Sequence, residues 1–83
     1  MDKNKIVNFV KLIDVTESIL DNEDIDWEYK YDYIFRIFKP IAFELMGSFN
    51  WLDLDTSYEE DATNFFRAAY STFCNWDGRN HDD

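Results

Sequence analysis

Residues 26–46 read DWEYKYDYIFRIFKPIAFELM, and two periodicities compete in them. Ile25, Trp27, Tyr29, Tyr31 and Tyr33 alternate with charged residues, the pattern of a half-buried strand. Trp27, Tyr31, Ile34, Phe38, Ile41 and Leu45 recur at helical spacing over a much longer stretch. The longer pattern decides the matter, because a strand has no reason to keep a 3.6-residue apolar period through five turns. A helix over 26–46 is predicted, stopped by Gly47. Pro40 either kinks it or begins a second helix as a first-turn proline.

Helices are also predicted on either side. In 2–20, Ile6, Phe9, Val10, Ile13 and Leu20 share one side of a wheel, with Leu12 and Ile19 on its flank and Asn8, Lys11, Asp14 and Ser18 opposite. Residues 21–26 are a polar break in which Asp24 and Asp26 are candidate N-caps. Residues 47–56 form a connector expected to tuck Phe49, Trp51, Leu52 or Leu54 against the core. Thr56 with Glu59, and Ser57 with Glu60, are capping boxes for a last helix over 57–75. Its apolar stripe is Tyr58, Ala62, Phe65, Phe66, Ala69, Phe73 and Trp76. The fold class expected is all-α, a small bundle of three to four helices around an aromatic-rich core. One domain over 1–76 is followed by a flexible acidic tail over 77–83. Aromatics make up 19% of the 83 residues, and large rings are how so short a chain assembles enough core without disulfides or metals.

Composition excludes several functions. The chain has one cysteine, Cys74, expected to be semi-buried, so an internal disulfide is ruled out, and no Cys/His spacing suggests zinc. The beginning of the chain leads into an amphipathic pattern rather than a signal peptide, and no apolar run is long enough to span a bilayer. A reducing, cytoplasmic setting is expected, that of the bacterial host cell if the gene is phage-borne. His81, the single histidine, lies in the tail and is a poor general base, so no enzyme activity, catalytic residue, cofactor or metal is assigned. The run Asp53-x-Asp55-x-Ser57-x-Glu59 has the alternate acids of a calcium loop. It places Tyr58 where the turn needs glycine and Asn64 where a bidentate glutamate belongs. Acyl carrier proteins share the size and acidity, but their modified serine opens the second helix, whereas Glu17-Ser18-Ile19-Leu20 lies late in the first.

The net charge is −10, from eighteen acids and eight bases, and it is not evenly spread. Segment 21–28 holds five acids (Asp21, Glu23, Asp24, Asp26, Glu28) and no base. Segment 53–61 holds five more (Asp53, Asp55, Glu59, Glu60, Asp61), again with no base. Removing these ten leaves eight acids matched by the eight Lys and Arg, so the two segments formally carry the whole imbalance. Acids at helix N-termini complement the macrodipole, which accounts for two or three per cluster; five crowded like charges repel. Tyr29 and Tyr33 lie off the apolar stripe, on the side of the wheel carrying Asp26 and Arg36. With Asp32 they join the ten acids as candidate partner-binding residues, because rings beside acids have the composition of a protein-binding surface. Those rings equally suit packing against the first helix or the connector.

A surface this negative is repelled by nucleic-acid backbones and anionic membranes, so neither is an expected direct partner; a basic protein is. Carboxylates three or four positions apart on a helix lie about 5–6 Å apart. A rigid array of them suits the Lys/Arg groove of a nucleic-acid-binding enzyme or effector. The leading expectation is an inhibitor that works by DNA mimicry, of the phage anti-CRISPR, anti-restriction or DNA-repair-inhibitor kind. The alternatives are an immunity protein or antitoxin that neutralises a basic nuclease toxin, and an acidic structural or scaffold subunit. An exposed aromatic strip also suits a homodimer seam.

Overall fold

The computed structural model describes residues 3–52 and 56–76. It is helical, with α1 over Lys3–Asp21, α2 over Trp27–Tyr33, a π-helical turn over Ile34–Phe38, α3 over Lys39–Met46 and α4 over Tyr58–Cys74. There is no strand among the described residues. The competition in 26–46 is therefore resolved in favour of the helical period. The tail at 77–83, with its expected fraying, lies outside the described residues, as does Leu54 of the connector.

Proline dictates the form that this central rod takes. Pro40 has no N–H to donate, and its ring crowds the carbonyl one turn back. The chain responds one turn earlier: the Lys39 N–H bonds the Ile34 carbonyl, an i→i−5 closure that admits one extra residue. Tyr33, Ile34, Phe38 and Lys39 all keep right-handed helical angles, so α2, the π turn and α3 run on without a break, and Pro40 falls at the start of α3. The extra residue shifts the apolar face. Ile34, Phe38 and Ala42 are fully buried, whereas Ile41, expected in the stripe, is 40% exposed. Gly47 ends α3 as expected, at φ 75°, with its N–H on the Phe43 carbonyl at 2.8 Å.

The core is aromatic at its centre. Phe65 of α4 touches the rings of Phe35, Phe38, Phe43, Phe49 and Trp51, with centroid separations of 5.0 to 6.1 Å. Ala42, Ala62 and Ala69 are fully buried, and their small side chains let the rods approach. The connector contributes Phe49 and Trp51 to the core and leaves Leu52 exposed. From α1, Phe9 stacks on Phe38 and meets Phe73 edge-on. Val10, expected to face inward, is 43% exposed; the buried line on α1 is Phe9, Ile13 and Thr16. Thr16 is fully buried, with its hydroxyl 3.2 Å from that of Tyr33. A threonine at this position satisfies a hydroxyl across the α1–α2 contact, which valine cannot do.

Candidate partner-binding surface

The first acidic segment is built so that its carboxylates are free of the scaffold. After α1 ends, the Asn22 N–H returns to the Ile19 carbonyl and the Asn22 side-chain oxygen accepts from the Asp24 N–H at 2.9 Å. The Ile25 N–H closes on the Asn22 carbonyl. Asparagine and backbone thus make the turn. Asp21, Glu23, Asp24, Asp26 and Glu28 are all exposed. Asp26 is the N-cap residue of α2, but only its backbone carbonyl serves, accepting from the N–H groups of Tyr29 and Lys30; its side chain makes no capping bond.

Lys30 lies beneath this turn. It is only 3% exposed, its ammonium donates to the Leu20 carbonyl at 2.8 Å, and it lies 4.2 Å from the Trp27 ring centroid. A cation from α2 thereby satisfies a carbonyl in the last turn of α1, a helix with no base of its own there. Sequence reasoning missed this residue because lysine among acids reads as a solvated charge. The signal was there: Lys30, Ile34, Phe38 and Ala42 follow one another at four-residue intervals along the buried line.

The second segment opens α4. The Ser57 hydroxyl accepts from the Glu60 N–H at 3.1 Å, so Ser57, and not Thr56, is the cap. Glu59 and Glu60 are exposed. Asp61 departs from the expectation of a surface charge: it is 6% exposed, because the first turn of α4 rolls it inward beside Ala62. Asp53 and Asp55 lie outside the described residues. Two further expectations change. Tyr33 is half-buried and committed to Thr16, which favours its packing role, whereas Tyr29 is 74% exposed. Asp32 is exposed but carries Arg36 at 2.9 Å, so its charge is locally offset. Cys74 is exposed rather than semi-buried.

Packing of α2 on α4 brings residues of the first segment beside the start of α4. The Tyr31 and Tyr58 rings meet at 5.0 Å. Asp26, Glu28, Tyr29 and Asp32 share a depression of about 390 Å³ with those two rings. Asp21 and Glu59, one from each segment, line a larger groove of about 580 Å³ together with Glu17, Trp27, Arg67 and Tyr70. Glu23, Asp24 and Glu60 line neither. No group of three or more His, Cys, Asp or Glu is arranged to hold a metal among the described residues, and none of their helices is long and apolar enough to cross a membrane. Comparison with known proteins finds no match: no family model, curated protein or solved structure is similar to the chain.

Proposed function

We propose that the protein is an acidic binding module that inhibits a basic nucleic-acid-binding protein by mimicking DNA, as phage-type inhibitors of CRISPR, restriction or DNA-repair enzymes do. The frame is a small helical bundle, and the setting is the cytoplasm in which such targets work. One observation supports the reading: Asp21 and Glu59, one from each of the two base-free segments, border a common groove, while Asp26 and Glu28 of the first segment lie in a second depression beside Tyr58. A duplex presents one charge per about 1.7 Å of axis. Seven exposed carboxylates, Asp21, Glu23, Asp24, Asp26, Glu28, Glu59 and Glu60, lie around a turn and two helix starts. Charge of this density steers encounter with a basic groove and repels competing polyanions. Tyr29 supplies exposed ring area among the acids.

The test is affinity capture from a bacterial lysate, with separate elution by rising salt and by duplex DNA. The reading expects a basic, nucleic-acid-binding protein released by both. The combined variant Asp21→Asn, Glu23→Gln, Asp24→Asn, Glu59→Gln and Glu60→Gln is expected to lose that target by at least about tenfold in affinity at physiological salt. Unchanged affinity in this variant overturns the proposal. A nuclease held beside its active site, and not displaced by DNA, identifies an immunity protein instead.

A further inference from the structure

We infer that the groove between the end of α1, the start of α2 and α4 is an arginine-reading pocket for an extended basic segment of a protein partner. This rests on the reading that the acidic face engages a basic protein, and it names the contact. Three carboxylates line the groove, Glu17 and Asp21 one turn apart on α1 and Glu59 on α4. Its aromatic lining includes Trp27, half-buried, and Tyr70, exposed. At about 580 Å³ the groove is large enough to take an arginine side chain.

The lining chooses among cations. An ammonium is a compact, strongly hydrated point charge, whereas a guanidinium is planar and weakly hydrated. It stacks on ring faces while its edge bonds carboxylates in pairs. Rings beside carboxylates therefore favour arginine over lysine. One face of Trp27 is already taken by the buried Lys30, 4.2 Å from its ring centroid. That cation repels a second one on the ring, so the exposed Tyr70 offers the less opposed ring face. Arg67 also lines the groove and is the one base there. It opposes a second cation and so limits how deeply a basic segment enters from the α4 side.

Titration of the isotopically labelled full chain with two capped pentapeptides, Gly-Arg-Gly-Arg-Gly and its lysine counterpart, tests this by NMR. Shifts are expected to concentrate on the Trp27 indole N–H and the Glu59 and Tyr70 amides. The arginine peptide is expected to bind about fivefold tighter than the lysine peptide. Glu59→Gln and Asp21→Asn are each expected to weaken it by about threefold. Arg67→Ala is expected to strengthen it by about twofold, a gain that structural damage does not produce. Glu44→Gln, on α3 outside the groove, leaves binding unchanged. Equal affinity for the two peptides, or equal losses from Glu44→Gln and Glu59→Gln, reduces the effect to diffuse charge and overturns the inference. The two proposals fail separately. Diffuse peptide binding with a DNA-displaced target removes the pocket and keeps the mimic. A seated arginine peptide with a target that DNA does not displace removes the mimic and keeps the pocket.

Discussion

The two acidic segments have the same charge and opposite relations to the fold. At the start of α4, Glu59 and Glu60 face the positive end of the helix dipole, Ser57 caps the backbone and Asp61 turns inward, so the acids there work with the structure. The first segment begins at the other pole. Asp21 is the last residue of α1 and Glu23 follows it, against the negative end of the dipole, in a helix with no acid in its first turn and no base in its last. Lys30, reaching across from α2, is what makes that helix end tolerable. Acids that complement a helix have a folding explanation. Acids at the wrong pole do not, and within segment 21–28 that describes Asp21 and Glu23, whereas Asp26 and Glu28 open α2 and complement its dipole.

Substitutions at three positions and two double variants break or sharpen this contrast. The largest effect is expected from Phe65→Ala, which removes the ring that five others touch and costs about 3–5 kcal/mol, enough to unfold much of a domain this small. Both segments then lose their frame together, as loss of the cooperative transition in urea would show. Lys30→Met keeps the stem and deletes the ammonium, leaving the Leu20 carbonyl in the α1 end without its donor; about 2 kcal/mol should be lost. The urea midpoint checks this, and an unchanged midpoint would remove the claim that Lys30 offsets the first segment. Ser57→Ala should cost about 1 kcal/mol through the lost cap on Glu60, with Ser57→Gly costing less. The smallest effects decide the contrast by sign. Asp21→Asn with Glu23→Gln should raise stability and Glu59→Gln with Glu60→Gln should lower it, each by about a few tenths of a kcal/mol read from the urea midpoint, and both shifts should shrink in high salt. Equal signs would make the two segments equivalent.

The helices were legible because their signals are local. The period in 26–46, the Ser57 cap and Gly47 as the α3 stop all follow from residues within a turn or two of one another. The face that each helix buries was legible in the main, through Phe9 and Ile13, Ile34 and Phe38, and Ala62, Phe65, Phe66, Ala69 and Phe73, but not Tyr58, which is 49% exposed. Ile41 and Ala42 exchanged places because the π turn inserts a residue into the phase, and Thr16 could be buried because Tyr33 supplies a hydroxyl partner from another helix. In the candidate surface, all five acids of the first segment are exposed, while Asp61 turns inward, since a helix's rotation about its own axis is set by what it packs against.

Charge segregation and the helical period are properties of order along the chain, and the sequence by itself determined both: an all-helical protein whose net charge sits in two short stretches. Which acids share a groove, which lysine is buried beneath them and which tyrosine is left free are relations between residues far apart in the chain. Tertiary packing of α2 against α1 and α4 decided those. Periodicity says only which side of a helix is apolar, whereas the shape of the opposing surface fixes which neighbours meet there.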